Sequence, residues 1–149
     1  MIHLLRTDSS HPDFIRLIRL LDEDLARRDG KDTAFYSQYN KIAAIKHAIV
    51  AYYNEEPVAS GAIKEYRPGV MEVKRMYTIP DLRGKGLASK VLAELEQWAT
   101  ELGYTKLILE TGKRNPEALS LYQAKGYLVT PNYEPYVSVD NSVCFEKLL

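Results

Sequence analysis

The sequence predicts a mixed α/β fold, with one central sheet and helices on both faces. Three observations carry that expectation. Apolar, β-branched runs alternate along the chain with stretches of helical apolar spacing. A glycine-bearing turn, "DLRGKG", sits where the strand-like run "VMEVKRMYTI" gives way to an amphipathic segment. Two turn signals, Asn54 to Pro57 and Arg67-Pro68-Gly69, separate strand-like runs with no helix between them, which reads as antiparallel pairing.

The elements follow in order. "IHLLRT" reads as a short strand. His11-Pro12 then opens a helix with proline at its first position, and Phe14, Leu17, Ile18, Leu21 and Leu25 form its apolar face. Arg28 to Asn40 is polar and tyrosine-bearing, which suggests a loop with a short helix. "HAIVAYYN" and "PVASGAIKEY" are two strands of a hairpin. "VMEVKRMYTI" is the next strand; Val73 and Met76 break its strict alternation, which predicts a bulge between them. Leu87, Val91, Leu92, Leu95, Trp98, Ala99 and Leu102 then recur at helical spacing, and Gly103 stops the helix. "KLILET" is a buried strand. "NPEALSLYQAKGY" is a short helix with Asn115 at its cap, Pro116 in its first turn and Gly126 after its end. "YLVT" and "SVCFEKL" close the chain as strands.

Composition narrows the function classes. A chain of 149 residues, 46% hydrophobic and 27% charged, is expected to form one domain, 1–149, with a sizeable core. Lys plus Arg equals Asp plus Glu at 20 each, which argues against a nucleic-acid partner bound through a strongly basic face. One cysteine, Cys144, excludes an internal disulfide and a multi-cysteine zinc site. His3, His11 and His47 share no metal-ligand spacing, so no metal is expected. No signal peptide or membrane span is evident, so a cytoplasmic protein without a membrane partner is the expectation.

The glycine turn carries the chemistry. A helix start exposes backbone N–H groups with no intrahelical partner, and the helix dipole adds partial positive charge there. Glycine lets a ligand approach that backbone without meeting a Cβ. The turn is therefore an anion site suited to phosphate. Taken alone it also fits a plain β–α connection, or the start of a dinucleotide fingerprint. Against the fingerprint, position 89 is serine and no acidic residue ends a neighbouring strand at the expected offset.

The stretches "MEVKRMYTIP", "LRGKGLASKVL" and "NPEALSLYQAKGY" resemble the GNAT N-acetyltransferases, over roughly Val58 to Leu149. That family's pyrophosphate signature, Gln/Arg-x-x-Gly-x-Gly/Ala, is met by Arg83, Gly86 and Ala88; read from Gly84 and Gly86, its first position falls on Asp81, a departure. The resemblance implies a mostly antiparallel sheet of about seven strands, splayed at its middle and flanked by about four helices. It implies acetyl-CoA as co-substrate, with pyrophosphate on the turn formed by Arg83, Gly84, Lys85, Gly86, Leu87, Ala88 and Ser89. Lys85 and Lys90 would add charge at the 3′-phosphate. The pantetheine arm would pair with the strand at Met76, Tyr77 and Thr78, across a splay between Met76–Ile79 and Leu107–Glu110. A backbone N–H near Met76 or Tyr77 would polarise the thioester carbonyl. Asn115 would contact the arm, and Tyr122 would protonate the departing thiolate. Glu72 falls at the family's glutamate base, with Glu110 as runner-up; the bland alternative pairs Glu72 with Lys74.

The acceptor implied is a primary amine of a small molecule. Arg75 beside the bulge suits a carboxylate on that acceptor through bidentate hydrogen bonds, with Glu110 as the other acceptor-facing residue; alternatively, Arg75 pairs with Glu72 or Glu110 and holds the sheet. A peptide or protein amine, or a CoA-binding sensor without turnover, are the remaining alternatives. The resemblance also implies homodimerisation through the C-terminal strands. Acceptor specificity is expected from the first third of the chain, the Arg67–Val70 turn and the "NYEPYVSVDN" loop.

Overall fold

The computed structural model describes residues 1–29 and 45–149. Its element order is β1 (Ile2–Thr7), α1 (Pro12–Asp29), β2 (His47–Tyr53), β3 (Glu56–Arg67), β4 (Val70–Thr78), a 3-10 turn (Pro80–Leu82), α2 (Leu87–Glu101), β5 (Lys106–Gly112), α3 (Pro116–Ala124), β6 (Leu128–Thr130) and β7 (Ser142–Leu148). The strands form one seven-stranded sheet in the order β1-β2-β3-β4-β5-β7-β6. Only the β4–β5 pair is parallel; the other neighbours are antiparallel. Among the described residues there are three α-helices and one 3-10 turn, beside the expected number of about four helices. The short helix expected within Arg28–Asn40 lies outside them from residue 30 onward. Helix α1 itself runs on to Asp29, past the last apolar position of its stripe.

The two faces of the sheet are covered by different helices, as side-chain alternation along β2 and β3 dictates. On one face, Phe14, Leu17, Ile18 and Leu21 of α1 pack on Ala48, Val50, Ala62 and Tyr77. Tyr52 Oη donates to Asp13 Oδ2 at 2.6 Å and ties down the first turn of α1. On the other face, Leu87, Val91, Leu92, Leu95 and Ala99 of α2 pack on Ile49, Ala51, Ala59 and Ile63. Each fully buried aliphatic side chain of this kind stabilises the fold by roughly 1.5–3 kcal/mol. Gly61 lets α2 approach: a Cβ there would stand 2.7 Å from both Met76 Sδ and Val91 Cγ1. The β2–β3 hairpin turns through Asn54 and Glu55, both at positive φ (49° and 70°), the geometry that matches strand twist.

Among the described residues no helix is long and apolar enough to cross a membrane. None of them form a cluster of three or more His, Cys, Asp or Glu placed for a metal ion.

Candidate active site

The site begins with an irregularity in β4. Ser60 faces Tyr77 and Ala62 faces Lys74, so Gly61 alone opposes Arg75 and Met76. This is a β-bulge, placed between Val73 and Met76 as expected. Arg75 takes φ +60°, a left-handed conformation that costs a non-glycine residue about 1–2 kcal/mol. Two contacts hold it there: Ser60 Oγ donates to Arg75 O at 2.9 Å, and Arg75 Nη1 donates to Asp22 Oδ1 of α1 at 2.8 Å.

Beyond the bulge the sheet opens. β4 and β5 pair only at Val70–Lys106, Met71–Leu107 and Glu72–Ile108. The remainder of β4 and the remainder of β5 diverge and line a cleft of about 570 Å³. One wall is β4 from Glu72 to Thr78, the other is Glu110, Thr111 and Gly112 with α3, and the mouth is the glycine turn. Leu21, Asp24 and Leu25 of α1 and Tyr136 of the β6–β7 loop complete the lining.

At the mouth, Gly84 and Gly86 lie at φ +80° and +83°, which only glycine adopts without strain. A Cβ built on either meets nothing within 4 Å, so backbone conformation and open space, rather than packing, account for the glycines. Helix α2 starts at this turn with no side-chain cap and no acidic residue in its first turn. Its first N–H groups and its positive dipole end are thus left for an anion. Arg83 leans back over the turn: its Nε donates to Thr78 O at 2.9 Å, its Nη2 stands 3.8 Å from Asp24 Oδ2, and its guanidinium carbon is 5.6 Å from the Tyr77 ring centre. Lys85 and Lys90 are exposed and do not line the cleft.

Helix α3 brings Asn115 and Tyr122 to the opposite wall. Asn115 caps α3, accepting from Ala118 N at 3.3 Å, which commits Oδ1 to the helix and leaves the Nδ2 amide as its offer to the cleft. Tyr122 is 5% exposed, packed against Tyr127 and Phe145. Burial, with Glu110 nearby, raises the Tyr122 hydroxyl well above the usual phenol range, so it keeps its proton at neutral pH. Glu72 accepts from Tyr133 Oη at 2.7 Å through Oε2, and Lys74 Nζ stands 3.5 Å from its Oε1. Glu110 accepts from Ser142 Oγ at 2.7 Å.

Most residues named from the sequence therefore share one cleft: Glu72, Arg75, Met76, Tyr77, Thr78, Arg83, Gly84, Gly86, Leu87, Ala88, Ser89, Glu110, Asn115 and Tyr122 all line it, and Lys85 does not. Two details differ from expectation. Arg75 pairs with Asp22, neither with Glu72 nor with Glu110, and its side chain is 2% exposed. Glu72 contacts Lys74, but its shorter hydrogen bond comes from Tyr133. Sequence reasoning missed Asp22 and Asp24, which sit on the polar side of an ordinary amphipathic stripe. The tyrosines of "NYEPY" were a signal for Tyr133 and Tyr136, but nothing local aims them at Glu72.

With this geometry in place, the comparisons with known proteins agree on a class. The acetyltransferase (GNAT) family model matches residues 14–127. This chain belongs to that family. It is 35% identical over 81 residues to the uncharacterized N-acetyltransferase YjgM of Escherichia coli, covering 52% of this chain and 48% of that one. It is 32% identical over 102 residues to the IAA acetyltransferase of Azospirillum brasilense, covering 68% and 67%. The chain spans about half the length of the first of these relatives. Among solved structures, an acyl-CoA N-acyltransferase-type protein from Klebsiella pneumoniae superposes with TM-score 0.84 at 29% identity, covering 100% of this chain and 98% of that one. A PaiA N-acetyltransferase from Thermoplasma acidophilum, solved with coenzyme A, shares the fold at TM-score 0.75 and 16% identity, covering 100% and 99%.

Proposed function

We propose that this protein transfers the acetyl group of acetyl-CoA to a primary amine of a small molecule by direct attack on the thioester. The observation that supports this most is the alignment of an uncapped helix start with the splay of β4 from β5. The turn from Arg83 to Ser89 holds the pyrophosphate through main-chain N–H groups. The unpaired part of β4, Met76 to Thr78, offers strand-like partners to the pantetheine amides, and Asn115 contacts the arm from the other wall. A backbone N–H at Met76 or Tyr77 stabilises charge on the thioester oxygen.

The chemistry then needs two proton movements. The amine nitrogen forms a bond to the acetyl carbon and the carbon–sulfur bond breaks. Glu72, or a water it binds, takes the proton that the amine loses. Tyr122 gives its proton to the departing thiolate, and its buried, protonated hydroxyl suits that role. Glu110 faces the same end of the cleft as an acceptor-contacting residue. A carboxylate-bearing acceptor rests on Arg75, and Asp22 already engages that guanidinium, so the broader class of small primary amines is the supported one. Homodimerisation through the C-terminal edge belongs to the same reading, with Leu128 and Val129 of edge strand β6 exposed.

The deciding experiment follows release of free CoA thiol from acetyl-CoA with a panel of amino acids, polyamines, aminoglycosides and peptides. Amine-dependent release supports transfer. Tight CoA binding with no release on any amine would instead make the protein a sensor.

A further inference from the structure

The β6–β7 loop is built to aim one phenol. Asn132 Nδ2 stands within reach of three carbonyls of that loop and its end, Tyr136 O at 3.1 Å, Val139 O at 3.4 Å and Ser142 O at 3.2 Å, which its two N–H groups share. From outside the loop, Tyr66 Oη donates to Glu134 O at 2.9 Å. The Tyr133 ring is wedged edge-on between Tyr66 and Tyr136, with ring centres 5.1 Å and 5.8 Å away. So held, Tyr133 Oη meets Glu72 Oε2 at 2.7 Å, across 61 residues of sequence.

We propose that Tyr133 is a positioning residue for Glu72, fixing its rotamer so that Oε1 is presented to the acceptor amine. The proposal rests on the reading of Glu72 as the proton acceptor. Tyr133 acts only as a donor: burial first, then the Glu72 carboxylate, raises its hydroxyl far above the usual phenol range. With Oε2 committed to Tyr133 and Lys74 Nζ 3.5 Å from Oε1, the amine proton passes to the second lone pair of Oε1, directly or through one water. Among the described residues, the other charged or titratable groups around Glu72 include Lys74 along β4, Lys64 directly across on β3, Glu110 farther along β5, Tyr136 of the β6–β7 loop and the Cys144 thiol of β7. Burial pushes that thiol up to about 11, so it stays neutral as a neighbour.

The test compares the parent with Tyr133→Phe, Glu72→Gln and Tyr66→Phe, reading kcat/KM against pH, acetyl-CoA affinity by calorimetry, and Tm. For Tyr133→Phe the expected result is unchanged acetyl-CoA affinity, a kcat lowered about tenfold, and an altered acidic limb of the pH profile. Glu72→Gln should abolish the limb and cost about 10²–10⁴-fold. Tyr66→Phe removes one anchor of the loop and keeps the Tyr133–Glu72 bond, so it should alter the limb in the same sense but less than Tyr133→Phe. If Glu72→Gln abolishes the limb while Tyr133→Phe keeps the parent profile, the positioning role is overturned and the base survives. A Tyr66→Phe limb shift equal to that of Tyr133→Phe would also overturn it, by assigning the effect to loop stability. A Glu72→Gln protein with parent rate and limb removes the base reading itself.

Discussion

Arg75 shows how one residue bends the sheet to a purpose. Its left-handed backbone is strained, and the Asp22 and Ser60 contacts offset that strain from opposite sides of the chain. The result is a strand that turns its later residues toward the cleft. Two single-residue predictions concern residues that line the same cleft as Arg75. If Tyr122 supplies the thiolate's proton, Tyr122→Phe lowers kcat about 10²–10⁴-fold with little change in acetyl-CoA KM, as steady-state kinetics will read. Gly86→Val forces a β-branched residue into φ +83° and fills the open space over the turn. Acetyl-CoA affinity should fall on the order of tenfold or more by calorimetry, equivalent to about 1.4 kcal/mol. Affinity equal to the parent would put the phosphate site elsewhere.

At the scale of elements, the tightest fit is α2 on β3. Gly61→Ala would set a methyl against Val91 Cγ1 and Met76 Sδ, both 2.7 Å away. Met76 can swing aside, but Val91 is stiff at χ1, so the strand and helix must part. Overpacking of this kind costs about 1–3 kcal/mol, which a denaturation midpoint will report, and here it also disturbs the residue opposite the bulge. The elements themselves were legible in the sequence. Pro12, Asn115, Gly103 and Gly126 mark helix ends by chemistry that acts over a few residues, and the broken alternation at Val73 and Met76 marks the bulge. What was not legible is what acts across the chain. Asp22 reaches Arg75 over 53 residues and Tyr133 reaches Glu72 over 61, and no local pattern encodes either partner. The second wall of the cleft, from Glu110 to Tyr122, was named through the family resemblance of "NPEALSLYQAKGY", which lies in a strand, cap and helix that follow one another directly.

For the whole molecule, ligand and stability are linked. A ligand that binds only the folded chain at 100 times its Kd adds about 2.7 kcal/mol of stability. For a chain of this size acetyl-CoA should then raise Tm by roughly 5–10 °C. The same concentration should raise the Gly86→Val protein less, and NADH should raise neither. An NADH shift without a CoA shift would reverse the assignment of the glycine turn.

The short β4–β5 pairing makes the cleft a wedge cut through the sheet rather than a pit on its surface. Its apex is Val70–Glu72 against Lys106–Ile108, reinforced behind by Thr105 N and Lys106 N donating to Gly69 O at 2.9 Å and 3.2 Å. Past the apex the β4–β5 ladder stops, so the jaws can part at the mouth without breaking a bond of that ladder. Three residue pairs therefore fix the angle between the two walls, and Glu72, in the last of them, stands where the walls begin to part.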